Sequence, residues 1–203
     1  MVSVPVDPLD AAATALQHGL VVAIPTDTVY GLAARADDVA ACGRIFSLKG
    51  RPDHVALPVL VADLEQAVPF AEESALPNLA RLATEFWPGA LTVVVPRRPG
   101  LGLDLGGDAG HVGLRCPAEG AVQELCRRVG ALATTSANRH QEPPCHSAEE
   151  VRAIFGDRLG YVLDGGRRDG QPSSVVALMN GAPRLLRAGP ITLEEIEQVL
   201  SLR

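Results

Sequence analysis

The chain has 203 residues, 47% of them hydrophobic, enough for one α/β domain with a substantial buried core. A net charge of -6 argues against a protein whose main task is gripping a phosphate backbone, so any nucleic-acid contact is expected to be weak or local. The absence of a long apolar run excludes a membrane helix, an N-terminus without signal-peptide regions points to the cytoplasm, and Cys42, Cys116, Cys126 and Cys145 form no CxxC pair, so they read as reduced thiols without zinc.

Taken in chain order, Asp7-Pro8 followed by Leu9 to His18 and Gly19 joins a capping residue, an alanine-rich body and a glycine stop, which predicts a helix. Leu20 to Ile24 reads as a short buried strand ending at Pro25, and a second helix is expected from Asp38 to Leu48. Further strands are expected at Leu57 to Val61, Leu91 to Val95, His111 to Leu114, Ala131 to Thr135, Gly160 to Leu163, Val175 to Leu178 and Arg184 to Leu186. Helices are expected at Leu76 to Phe86, Ala118 to Val129, Ala148 to Ile154 and Leu193 to Leu200, the last two opened by the capping-box pairs Ser147/Glu150 and Thr192/Glu195. Interleaved helices and apolar strands predict an α/β fold, a sheet covered by helices, over a single domain spanning 1–203.

Six segments carry polar side chains at the ends of these elements. Pro25-Thr26-Asp27-Thr28-Val29-Tyr30-Gly31-Leu32 places hydroxyls and a carboxylate just past a strand, where open α/β sheets bind ligands, although Thr and Asp are also ordinary turn formers. Ser47-Leu48-Lys49-Gly50-Arg51-Pro52 sets two cations at a helix end, where they also suit the helix dipole. Lys49 is the one lysine among eighteen basic residues, which either marks a place for a compact ammonium in a chain that otherwise uses arginine or is a chance survival. The others are Val112-Gly113-Leu114-Arg115-Cys116-Pro117, Ala133-Thr134-Thr135-Ser136-Ala137-Asn138, Gly165-Gly166 with Pro172-Ser173-Ser174-Val175-Val176, and Arg184-Leu185-Leu186-Arg187-Ala188-Gly189-Pro190. Arg115 can hold a carboxylate or phosphate bidentately, and Ser136 and Asn138 offer neutral partners for phosphate or ribose. No GxxxxGK[ST] is present, so a P-loop does not supply the phosphate site. His140, Cys145 and His146 read as a loop before a metal cluster, and no metal ligands are assigned.

In this order the six segments resemble the YrdC/TsaC family of threonylcarbamoyladenylate synthases, short single-domain bacterial type. The resemblance rests on a K-x-R pair with a later S-x-N, here Lys49, Arg51, Ser136 and Asn138, and on the stretches PTDTVYGL, FWPGALT, VGLRCP, TTSAN and LLRAGPIT. It implies a twisted open mixed sheet with a concave, positively lined face. It implies joining of L-threonine, bicarbonate and ATP, with Mg²⁺ expected beside the nucleotide, into threonylcarbamoyl-AMP and pyrophosphate for tRNA modification. By matching positions it implies Thr28, Arg115, Thr134 and Ser173 for threonine, and Lys49, Arg51, Ser136, Asn138 and Arg187 for ATP, with Lys49 and Arg51 catalytic. The downstream partner it implies is the tRNA threonylcarbamoyl transferase complex.

The chain departs from the family pattern at Val55 and Ala56, where relatives carry a polar residue and Pro, and at Ala177, where they often carry Asp. Val61 stands for a histidine near threonine in longer relatives, and Pro144 for a loop serine. Two other readings stay open. One is a paralogue of the YciO type without synthase activity. The other is an RNA-binding module, for which Arg97-Arg98, Arg127-Arg128 and Arg167-Arg168 are local basic spots.

Overall fold

The computed structural model describes residues 7–50, 54–179 and 182–201. Among these, nine strands form one mixed sheet in the order β7-β1-β2-β6-β3-β5-β4-β8-β9. The strands are β1 (Val22–Pro25), β2 (Tyr30–Arg35), β3 (Val59–Leu60), β4 (Leu91–Pro96), β5 (His111–Arg115), β6 (Leu132–Ser136), β7 (Tyr161–Val162), β8 (Ser174–Ala177) and β9 (Arg184–Arg187). The α-helices are α1 (Pro8–Gln17), α2 (Val39–Lys49), α3 (Leu64–Ala67), α4 (Leu76–Phe86), α5 (Gly120–Val129), α6 (Ala148–Phe155) and α7 (Leu193–Ser201). The predicted α/β class and most predicted elements are present within a residue or two of their expected ends.

Local chemistry sets the helix boundaries. The Asp7 carboxylate accepts from the Leu9 amide to open α1, and Asp38 accepts from Ala41 to open α2. Gly50 closes α2 in the left-handed region at φ 61°, which a residue with a Cβ enters only at a cost. Ser147 caps α6 by accepting from the Glu150 amide. Thr192 and Glu195 complete a reciprocal box ahead of α7, the Glu195 carboxylate accepting from the Thr192 amide and the Thr192 hydroxyl accepting from the Glu195 amide.

Two predicted elements differ. PTDTVYGL, read as polar groups just past a strand or as turn formers, is a hairpin, Thr26 to Val29 forming the connection and Tyr30 to Arg35 returning antiparallel to β1. The Thr26 hydroxyl accepts from the amides of Thr28 and Val29 and donates to the Val29 carbonyl, so turn formation itself presents Asp27 and Thr28. The strand expected at Leu57 to Val61 pairs only through Val59 and Leu60. Pro58 has no N–H to donate, and Leu57 and Val61 instead donate to the Leu105 and Arg115 carbonyls.

Strand alternation explains the layers. Leu32, Val59, Val93, Leu114, Ala133 and Val176 face a large core under α2, α4, α6 and α7. The opposite face has a smaller cluster, where α1 and α5 pack Leu16, Val122, Leu125 and Cys126 against Val22, Ile24, Leu60 and Leu132. These two helices cover one part of that face. The remainder lies open, and the residues that alternate onto it are Thr134, Ser136, Arg115, Gly113, Thr92 and Val94, all of which line one cavity.

Candidate functional site

The cavity has a volume of about 420 Å³, large enough for a small ligand. Thr28, Arg115, Thr134, Ser136, Ser173 and Arg187 all border it. These side chains come from five separate segments of the sequence, and the sheet brings them together.

At one end Arg115, 7% exposed, sits at the last position of β5. Its Nη2 donates to Asp27 Oδ1 at 2.7 Å, its Nη1 to Thr28 Oγ1 at 3.3 Å and its Nε to the Gly89 carbonyl at 2.9 Å. Burial pulls the guanidinium below its ordinary pKa, and Asp27 opposes that pull. Asp27, which the sequence offered as a carboxylate past a strand or a turn former, is here the counter-charge of the pocket arginine. Thr134 also borders the cavity, its hydroxyl donating to the Leu32 carbonyl at 2.9 Å.

On the same wall, reached through the neighbouring strand β4, lies Ser173, 2% exposed. Its Oγ is 2.9 Å from Thr92 Oγ1 and accepts from Arg187 Nη2 at 3.0 Å, while its carbonyl accepts from Arg187 Nε at 2.9 Å. Arg187 is exposed as a whole residue, yet desolvation around its guanidinium, and then the charge of Arg115, lower its pKa. Two arginines therefore share one wall, as expected of a positively lined face. Thr92 ends the FWPGALT stretch but was given no role in the sequence, because inside an apolar strand a threonine reads as β-branched packing.

Lys49 ends α2 and is 4% exposed. Its ammonium donates to the Ser136 carbonyl and, at 2.6 Å, to Asn138 Oδ1, which also accepts from Ser136 Oγ at 2.7 Å. Asn138 Nδ2 donates in turn to the Glu142 carbonyl. Residues 87 and 89 positions apart thus form one polar network. Ser136 is its member on the cavity wall; Lys49 and Asn138 stand behind it. Arg51 lies outside the described residues.

The departures from the family pattern fall unevenly. Val61 belongs to the large core, whereas its neighbour Leu60 borders the cavity, so the position expected to approach threonine does not face it. Val55 is exposed, Pro144 half-buried, Ala177 buried, and Ala56 is part of the cavity wall. All four cysteines are buried and free. Among the described residues, no group of three or more His, Cys, Asp or Glu is placed to hold one metal ion, and no helix is long and apolar enough to cross a membrane.

The basic spots are largely occupied. Arg128 pairs with Glu124 and Asp10, Arg127 with Glu124, Arg167 with Asp169 and Glu150, and Arg168 with Glu119. Arg97 and Arg98 donate to the carbonyls of Leu103 and Ala71.

The family model Sua5/YciO/YrdC, described as "Telomere recombination", matches residues 14–189. A Mycobacterium tuberculosis (strain CDC 1551 / Oshkosh) relative is 40% identical over 194 residues, 95% of this chain and 88% of its own length. The threonylcarbamoyl-AMP synthase of Klebsiella pneumoniae is 34% identical over 191 residues, 92% of this chain and 98% of that protein. The crystal structure of P. abyssi Sua5 complexed with L-threonine superposes with a TM-score of 0.85 at 36% identity, covering 95% of this chain and 57% of that one.

Proposed function

The chain belongs to the Sua5/YciO/YrdC family, and from that premise we propose that its pocket joins L-threonine, bicarbonate and ATP into threonylcarbamoyl-AMP and pyrophosphate. It is a nucleotidyltransferase of tRNA modification. The observation that carries this reading is the convergence of Thr28, Arg115, Ser136, Ser173 and Arg187 on one cavity, with Lys49 and Asn138 directly behind Ser136.

The threonine amine adds to the carbon of bicarbonate with loss of water, giving a carbamate. A carbamate oxygen then attacks the α-phosphorus, forming the P–O bond as the bond to the pyrophosphate oxygen breaks. Negative charge gathers at each stage, so catalysis rests on holding the reactants in line and on preset positive charge. Arg115 receives the threonine carboxylate, with Thr28, Thr134 and Ser173 beside it. Arg187, Ser136 and Asn138 serve the phosphates. Lys49 keeps Ser136 and Asn138 in register and adds its field to the phosphate site, and Arg51 is assigned the same phosphate chain from its place in the motif.

Asp27 is engaged with Arg115, so the Mg²⁺ that accompanies ATP is assigned to the phosphates, not to a protein cage. It neutralises phosphate charge when bound. The product passes to the tRNA threonylcarbamoyl transferase complex, and a cytoplasmic location belongs to the same proposal. A direct RNA contact gains no support from arginines already paired with carboxylates or carbonyls.

The test is pyrophosphate release with each substrate omitted in turn. Release that requires threonine, bicarbonate and ATP together is expected, and Lys49→Ala should lower it at least about a hundredfold in a folded protein, the scale of removing one preset electrostatic group. Release independent of threonine, or none at all, would return the chain to a YciO-like role.

A further inference from the structure

On the cavity face of β5, Arg115, Gly113 and His111 succeed one another at every second residue. At about 3.3 Å per residue His111 lies roughly 13 Å from Arg115 along the strand. A threonine held by its carboxylate at Arg115 has its amine within two bonds of that carboxylate, so His111 is too far away to act on the amine or on the carbamate. It belongs to whatever occupies the other end of the cavity.

That end has a defined shape. Gly113 leaves the sheet without a side chain, and a Cβ built there would stand 3.4 Å from the Thr92 methyl, 3.5 Å from Pro58 Cβ and 3.6 Å from Val94 Cγ2. The result is a shallow apolar slot beside a missing side chain, the kind of place where a ligand approaches a strand closely. His111 ends this slot. Asp108, exposed on the loop before β5, also borders the cavity and lies 2.5 Å from His111 Nδ1 through Oδ2. Its Oδ1 accepts from the Gly110 amide at 2.8 Å, so the carboxylate is itself fixed.

A carboxylate at Nδ1 accepts from the ring N–H there, and in that neutral tautomer Nε2 is the hydrogen-bond acceptor. An apolar slot for a flat ring, ending in one oriented acceptor, fits a purine with a donor on its edge. At position 6 adenine carries an amino donor, whereas hypoxanthine and guanine carry an oxo acceptor there and have their nearest edge donor displaced to N1, so an acceptor aligned with position 6 favours adenine. Resting on the proposal that the nucleotide binds in this cavity, we propose that His111, oriented by Asp108, is a specificity-determining residue that selects an adenine nucleotide by accepting from its 6-amino group.

The experiment compares kcat/KM for ATP and ITP, two nucleotides that differ at this edge, in the native protein and in His111→Ala, with pyrophosphate as readout. The native protein should prefer ATP, and the variant should lose about tenfold of that preference, the scale of one partly exposed hydrogen bond. The change should fall on KM for the nucleotide, with KM for threonine within about twofold of native. Asp108→Ala, which leaves the ring present but unoriented, should move the ratio in the same direction by a smaller factor. An unchanged ATP/ITP ratio in an active His111→Ala protein overturns this assignment alone. Absence of pyrophosphate from the native protein with either nucleotide overturns it together with the synthase reading.

Discussion

Arg115 adds to the desolvation that lowers the pKa of Arg187 in the cavity wall, and Asp27 is the carboxylate that offsets the burial of Arg115, the more deeply buried of the two. The pair Arg115–Asp27 has side-chain exposures of 8% and 16%, so its loss is felt more than that of a surface ion pair and less than that of a fully dry one. Removing the carboxylate as Asp27→Ala leaves a buried cation without its partner. The expected cost is about 2 kcal/mol, or roughly 5 °C in Tm for a chain of this size. If the Arg115 guanidinium is where the threonine carboxylate docks, that ligand supplies the missing anion. Threonine with ATP should therefore raise Tm further in Asp27→Ala than in the native protein, as read by thermal scanning with and without ligands. Equal shifts in the two proteins would show that threonine does not bind at Arg115.

Beside the site, β8 begins at Ser174, and its entry is set by a close approach of Gly189 from the segment after β9. A Cβ at Gly189 would stand 2.4 Å from the Ser174 amide nitrogen and 2.6 Å from the Pro172 carbonyl oxygen, and neither backbone atom can yield without moving Ser173. Gly189→Ala is expected to destabilise by about 2 kcal/mol, within the range for overpacking, and to lower kcat/KM through displacement of Ser173. Gly120→Ala is the contrast, since a Cβ at the start of α5 meets no atom within 4 Å; urea midpoints should fall for the first variant and stay unchanged or rise for the second. The same elements show what a sequence reveals. Apolar runs such as Val21 to Ile24 announce strands because burial on both faces leaves little choice of residue, and Asp38 or Thr192 announces a helix because the cap is local chemistry. β2 stayed hidden behind its turn residues, and the short β3 ladder is a consequence of one proline. For the candidate site, the hydroxyl and cation set was visible as motifs. The roles of Asp27, Thr92 and the His111–Asp108 pair were not, because they depend on strand neighbours that spacing along the chain does not encode.

Over the whole molecule, the four thiols are distributed through both faces of the sheet, Cys42, Cys116 and Cys145 in the large core and Cys126 in the cluster under α1 and α5. They act as small apolar side chains. Burial pushes the thiols of Cys42, Cys116 and Cys145 up to about 11 and that of Cys126 to about 12. In the unfolded chain a thiol ionises near pH 8.5. Between that pH and about 11 the unfolded state therefore releases protons that the folded state keeps. The sign follows from linkage: stability is fully present below the unfolded pKa and declines as pH rises toward the folded values. The urea midpoint should thus hold steady up to about pH 8 and then fall through pH 9 to 10.5. Over the same range the native thiols should resist a disulfide reagent until urea opens the fold, because the thiolate is the reactive form and burial disfavours it. Rapid labelling of the native protein at pH 8 would show that at least one core cluster opens without global unfolding. A flat urea midpoint to pH 10.5 would show that the thiols ionise no less readily inside the fold than outside it.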